Sequence, residues 1–373
     1  MADMKSAGRA SFPEEHRGRS RRPAPHVREP FRAFPKVVGI LLIILFLSLI
    51  VMFCLFSALS YRRHAQQAEA DALVAEIEAQ RQLLALADAQ ASVVLPVEEP
   101  KIAYAAYTPD SRQLGGVIDS EYAILIDQES NTVLASLNGD KRIYPASMTK
   151  VMTLIVAVEH MPELNELYTF SYEIINPVVE AGASVAGFSS GETVTLLDLL
   201  YGAGLPSGAD ATAAIADYVA GSETLFAELM NEKAGALGLK DTHFVNASGL
   251  HDNDHYSTPH DIALIFEYAM QIPLIREVLS TYQYTTTPTE QHPEGLLLTS
   301  TLFSRVRGDE PGNAVIVAGK TGYTLEGKNC LVSMAQTPDG RSYILVTASA
   351  SGKYAPVYDA IDVYRDYLPD AEG

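Results

Sequence analysis

The chain has 373 residues, 47% of them apolar, with 25 glycines, 20 prolines and two cysteines. This excludes collagen, wholesale disorder and a disulfide-built scaffold. The formal net charge of −19 excludes a generic basic nucleic-acid binder, and it is unevenly spread: residues 1–36 carry nine basic and four acidic side chains, whereas residues 64–373 carry 16 and 42. A basic head on an acidic body predicts two compartments, with a body that repels nucleic acid.

Residues 1–36 read as a basic, disordered cytoplasmic tail. Val37 to Leu59 is an uncharged apolar run of 23 residues, about 35 Å as a helix and sufficient for a bilayer core of about 30 Å. The basic excess before it places the N-terminus inside and the body outside. A cleavable signal is the alternative, since Ala58-Leu59-Ser60 resembles a small-x-small cleavage site; the length of the run favours a retained anchor. Residues 60–116 read as stalk and linker. Over 64–92 there is no glycine or proline, and Leu73, Ile77 and Leu84 form an imperfect stripe that leaves self-association through the stalk open.

Residues 117–369 read as the globular domain. Tyr122–Asp127 and Thr132–Leu137 are strand-like runs at hairpin spacing. Ser147 is placed to cap an almost wholly apolar helix running to His160. Helices are expected over Leu196–Ala203, Ala209–Val219, Glu223–Leu237 and Pro259–Met270, the last with proline in its first turn. Strands follow at Ala314–Ala318, Asn329–Gln336 and Ser342–Ala348, then a helix over Pro356–Tyr367. This order predicts an α+β fold: an antiparallel sheet flanked by helices, with a helical lobe inserted between its halves. Cys330 is the only cysteine of the body, either buried or paired between chains.

Three short motifs carry candidate chemistry. In Ser147-Met148-Thr149-Lys150, residues three apart share a helical face, bringing an amine to a hydroxyl. Serine is a poor nucleophile until a base takes its proton, and a desolvated lysine can be that base. Lys320-Thr321-Gly322 joins a cation, a hydroxyl and a residue permitting close approach, a set suited to a carboxylate at a strand edge. Leu205-Pro206-Ser207-Gly208-Ala209-Asp210-Ala211 offers a hydroxyl in a turn between helices.

Taken in this order, the motifs resemble the serine penicillin-recognising enzymes of the β-lactamase/DD-peptidase-like fold, specifically the serine-type D-alanyl-D-alanine carboxypeptidases of peptidase family S11, the low-molecular-mass penicillin-binding proteins. The likeness extends through PASMTKVMT (145–153), LPSGADA (205–211), THFVNASGLHDNDHYSTPHDIALI (242–265) and GKTGYTLEGKNCLV (319–332). It implies Ser147 as acylated nucleophile, Lys150 as its base, Ser207 as proton relay, and Lys320, Thr321, Gly322 and Tyr323 around the substrate. The backbone N–H groups of Ser147 and Tyr323 would form the oxyanion hole. It further implies removal of the terminal D-Ala from peptidoglycan stem pentapeptides, acylation by β-lactams, no cofactor, no metal, and a cell-membrane protein with its catalytic domain outside. Relatives often carry a further β-rich domain and a C-terminal anchor, for which about 50 residues after Gly322 leave no room; the 37–59 helix is expected to replace that anchor.

One position departs from the pattern. Ala209 stands where the family usually has asparagine, so another side chain, with Asn246, Asn253 and Asn329 as candidates, or a water takes over the amide's role, or activity is reduced. Three rival readings follow. A β-lactamase would need a glutamate for deacylation, and Pro162-Glu163-Leu164-Asn165 resembles such a loop but precedes Ser207 rather than following it. The group His243, His251, Asp252, Asp254, His255, His260 and Asp261 has ligand chemistry without an H-E-x-x-H arrangement. A non-enzymatic cell-wall binding protein is the third.

Overall fold

Alternation of period two divides the sheet strands between two cores. In Tyr122–Asp127, Ile124 and Ile126 join one buried cluster and Ala123 and Leu125 the other; in Ser342–Ala350, Ile344 and Val346 join the first and Tyr343 and Leu345 the second. The computed structural model describes Met52 and residues 102–116, 118–306, 308 and 311–368. The chain divides into two units, Met1–Val97 and Glu98–Gly373, and all described residues except Met52 belong to the second. The basic arm, the 37–59 run apart from Met52 and the 64–92 stalk lie outside the described residues, among which no helix is long and apolar enough to cross a membrane.

The main sheet contains β1 (Ala106–Gln113), β2 (Tyr122–Asp127), β3 (Thr132–Leu137), β8 (Val315–Thr324), β9 (Lys328–Gln336) and β10 (Ser342–Ala350), in the order β1-β3-β2-β10-β9-β8. One face packs on the inserted lobe: α1 (Lys150–His160), α2 (Tyr172–Glu180), α3 (Leu196–Gly204), α4 (Ala209–Ala220), α5 (Glu223–Ala236), α6 (Pro259–Gln271) and α7 (Pro273–Ser280). Two short strand pairs complete this lobe, β4 (Leu167–Thr169) with β5 (Thr193–Thr195) and β6 (Gln283–Thr285) with β7 (Leu297–Thr299). The other face packs on α9 (Ala355–Tyr367) and the short α8 (Phe303–Val306). The helix α1 lies at the centre, with residues 150–157 all buried, as its apolar composition requires. Thr195 caps α3 in a reciprocal capping box with Asp198, and Thr258 caps α6 one residue before Pro259.

Three expectations need correction. The 60–116 stretch is not all linker, because Ala106–Gln113 is the edge strand β1. It pairs parallel to β3, so the sheet is mixed rather than purely antiparallel. This strand is exposed along most of its length and holds Pro109, and its register shifts between Tyr107 and Arg112; an edge strand without an apolar face leaves no alternation to read. Finally, Ser147 does not cap an α-helix. Residues Ala146–Thr149 form a 3₁₀ turn after Pro145, and α1 begins at Lys150. Ala146 has φ of 49°, a strained left-handed value for a residue with a Cβ, held by the contacts described below.

The α9 helix is tied to the start of β2 by one buried carboxylate. Asp359 accepts bonds from Asp119 N (2.9 Å), Ser120 N (2.9 Å) and Ser120 Oγ (2.6 Å). Asp359→Ala leaves two backbone donors unsatisfied and is expected to destabilise the domain by about 3 kcal/mol, read as a lower midpoint in urea with an unchanged slope.

Candidate active site

The 3₁₀ turn is held by three contacts from two segments. From the 242–258 segment, Gly249 approaches so closely that an added Cβ would lie 1.9 Å from the Ala146 carbonyl oxygen. From β8, Gly322 passes near Ser147, where a Cβ would come within 3.1 Å of the Ser147 nitrogen. The third contact is His255, whose Nε2 lies 2.8 Å from Thr149 Oγ1. Its Nδ1 accepts from Val245 N (3.2 Å), so Nε2 carries the proton and donates to Thr149. Burial, reinforced by His243, lowers the His255 pKa to about 4 and keeps the ring neutral.

The turn places a partly exposed Ser147 above a buried amine. Lys150 Nζ donates to Ser147 Oγ at 3.0 Å and to the Ser248 carbonyl at 2.6 Å. Burial lowers the Lys150 pKa from 10.5 to about 7, against the opposing pull of Asp210 and Glu223. A near-neutral amine beside a hydroxyl can accept its proton. Across the cleft, buried Lys320 Nζ donates to Ser207 Oγ at 2.8 Å. Its pKa lies well below the ordinary lysine value because of burial, with the nearby charges of Lys150 and Arg305 adding to the effect. Thr321 Oγ1 shares a 2.6 Å hydrogen bond with Thr301 Oγ1, and Thr301 N donates to Leu205 O, which links β8 to the turn carrying Ser207. Ser207 itself has φ of 68°. Tyr323 is exposed at the rim.

Ser147, Lys150, Ser207, Lys320, Thr321 and Gly322 are thus brought together from three distant segments. Sequence reasoning missed the group that receives the second Lys150 bond, the Ser248 carbonyl, and the role of Asp210. That buried carboxylate accepts from the backbone of Ala186 (2.7 Å), Gly187 (3.0 Å), Phe188 (3.3 Å) and Ala211 (2.9 Å), fixing the 184–188 loop beside α4. Asp210 stood within the motif segment and Ser248 within the 242–265 passage; neither residue type announces such a role. Among the amide candidates for the missing 209 side chain, Asn329 donates to Ala350 O and Asn253 lines a separate cleft with Arg142 and Tyr256. Asn246 borders Ser248.

The potential metal ligands are dispersed. His243 faces the Asp254 carbonyl, His251 lies edge-on to Tyr144, and His260 pairs with Asp140. Among the described residues no three His, Cys, Asp or Glu side chains converge on one point. Glu163 is exposed in a turn whose carbonyl accepts from Glu166 N. Cys330 is buried with a free thiol.

Comparison with known proteins follows the same outline. The D-alanyl-D-alanine carboxypeptidase profile of peptidase family S11 matches residues 108–352. The chain is 30% identical over 235 residues to D-alanyl-D-alanine carboxypeptidase DacF of Bacillus subtilis (63% of this chain, 59% of the relative). It is 40% identical over 172 residues to DacA of Escherichia coli K12 (44% and 41%). It therefore spans about half the length of these relatives. The structure resembles a DD-transpeptidase of Streptomyces at 30% identity and a TM-score of 0.62, covering 67% of this chain and 99% of the other. The arrangement of strands, lobe and cleft, together with the match over most of the body, establishes that the chain belongs to the D-alanyl-D-alanine carboxypeptidase family of serine peptidases.

Proposed function

We propose that the protein is a serine-type D-alanyl-D-alanine carboxypeptidase that removes the terminal D-Ala from peptidoglycan stem pentapeptides and is acylated by β-lactams. The observation that carries this reading is the 3.0 Å contact between Ser147 Oγ and a buried Lys150 amine poised near neutrality. Ser147 Oγ attacks the carbonyl of the penultimate D-Ala as Lys150 takes its proton, and the new C–O bond forms a tetrahedral oxyanion. The backbone N–H groups of Ser147 and Tyr323 receive that charge. Collapse breaks the C–N bond, and the proton that Lys150 took passes through the Ser207 hydroxyl to the departing amine, which leaves Lys150 neutral again. Water then attacks the ester, giving a proton to Lys150; collapse breaks the bond between the acyl carbon and Ser147 Oγ, and Lys150 returns that proton to the serine oxygen.

Lys320 and Thr321 hold the terminal carboxylate in this reading. The low pKa of Lys320 supports it: an arriving carboxylate offsets the cost of charging a buried amine, so binding favours the ammonium. The apolar run 37–59 and the basic excess before it support an anchored protein with this domain outside the cell membrane. Release of D-Ala from a pentapeptide ending in D-Ala-D-Ala tests the function. The parent chain is expected to release it and Ser147→Ala to fall to background; equal release by both would contradict the serine mechanism.

A further inference from the structure

In the reading above, Lys150 must act as a neutral amine, which has two N–H groups and a single lone pair. The lone pair works only when it faces the Ser147 hydroxyl, so the nitrogen's rotation has to be set by whatever accepts its hydrogens. Position 209, where the family motif usually places an amide, carries only the buried methyl of Ala209. The acceptor present is the Ser248 carbonyl, 2.6 Å from Lys150 Nζ.

That carbonyl belongs to a short loop organised around one side chain. Asn246 Oδ1 accepts from Ser248 N (3.2 Å), Ser248 Oγ (3.2 Å) and Gly249 N (2.7 Å), while Asn246 Nδ2 donates to Leu250 O (2.9 Å). Ser248 Oγ in turn accepts from Leu250 N at 3.3 Å. The preceding residue is held at both ends, Ala247 N donating to Glu223 Oε1 (3.1 Å) and Ala247 O accepting from Thr153 Oγ1 (2.6 Å). The loop thus has little freedom to turn the Ser248 carbonyl away while Asn246 is in place.

We infer that Asn246 is a positioning residue for Lys150, fixing the Ser248 carbonyl so that the amine's lone pair faces Ser147 in a chain that lacks the motif amide at position 209. Asn246 acts through the Ser248 carbonyl and not on the reacting atoms. The inference rests on the proposed roles of Ser147 and Lys150. The charged or titratable groups facing Lys150 are Asp210 from α4, Glu223 from α5, Lys320 from β8 and His255 from the 242–258 segment. None of them is itself replaced in the variants at 246, and Glu223 keeps Ala247 N as a donor in each.

The test is the second-order rate of acylation by benzylpenicillin across the pH range in which Lys150 titrates, measured on the parent, Asn246→Ala and Asn246→Asp. Asn246→Ala is expected to acylate about 100-fold more slowly. Its acid limb should move to lower pH, because the carbonyl that favours the ammonium is no longer held in place. Asn246→Asp keeps the oxygen that accepts from Ser248 and Gly249 and gives up only the Nδ2 bond to Leu250 O, so it should be slower than the parent but stay within about tenfold of it. Its added carboxylate should move the limb to higher pH. A purely structural role would lower the fraction of protein that acylates while leaving the limb where it was, and that result overturns the inference. So does an Asn246→Ala chain that acylates at the parent rate, or an Asn246→Asp chain as slow as Asn246→Ala. If Asn246→Ala fails to fold, Asn246→Asp decides: an upward limb at near-parent rate supports the inference and an unmoved limb contradicts it. A parent chain that forms no adduct contradicts the underlying reading instead, which separates the two failures.

Discussion

Lys150→Met is expected to slow acylation of Ser147 by about 1,000-fold, the middle of the range that a positioned base contributes, and to leave the fold intact. The methionine occupies similar volume in a site where the lysine side chain is 2% exposed, but offers no lone pair able to take a proton at neutral pH. Lys150→Arg should be as slow, since a guanidinium keeps the charge and cannot be deprotonated. In the parent, the rate should rise with pH through about 7 as the amine becomes neutral and then level off; this limb should vanish in both variants. The Lys150→Met substitution should affect stability in the opposite sense to rate. The folded-state pKa of Lys150 is about 7 against an ordinary 10.5, so between these values the unfolded chain holds more protons and stability rises with pH, while below about 7 the full penalty of a buried ammonium is in place. Lys150→Met removes that penalty, and at neutral pH it should melt no lower than the parent. A slow variant that also melts well below the parent would point to disrupted packing rather than a lost base.

The second large effect concerns a residue with no side chain. Gly249 has φ of 81°, and an added Cβ would lie 1.9 Å from Ala146 O and 2.9 Å from Thr149 Oγ1. Neither the backbone angle nor the space admits alanine, and the atom met first is backbone, which cannot swing aside. Gly249→Ala is expected to destabilise the domain by about 4 kcal/mol, lowering Tm by roughly 10 °C. The same contact holds Ala146 in its left-handed conformation, one residue before Ser147. Any protein that still folds should therefore acylate slowly, because the 3₁₀ turn is free to relax. Near-parent Tm and acylation in Gly249→Ala would show that this contact does not hold the turn.

What could be read from the residues follows the physics of each element. The β2–β3 hairpin, β9, β10, α1 and α6 bury apolar faces, so their spacing is visible in the chain. The β1 strand buries almost none, and α2 holds Pro177 in its interior, a residue that reads as a breaker. The α7 helix begins at Pro273 only two residues after α6 ends, so no loop signal separates them. At the site, Ser147 and Lys150 are visible by spacing, and Ser207 and Lys320 through the resemblance that joins distant motifs. The 3₁₀ geometry of 146–149 is imposed by Gly249, Gly322 and His255, which lie about 100 to 180 positions away along the chain. The Ser248 carbonyl is a group every residue possesses, so no residue identity marks it as the acceptor for Lys150.

In the proposed mechanism three segments close on one cleft in which Lys150 makes Ser147 nucleophilic. Its most direct test is peptide mapping by mass spectrometry after treatment of the whole chain with benzylpenicillin. A single penicilloyl group is expected on the peptide containing Ser147, absent from Ser147→Ala. A stable adduct on any other residue, or one retained by Ser147→Ala, would contradict it.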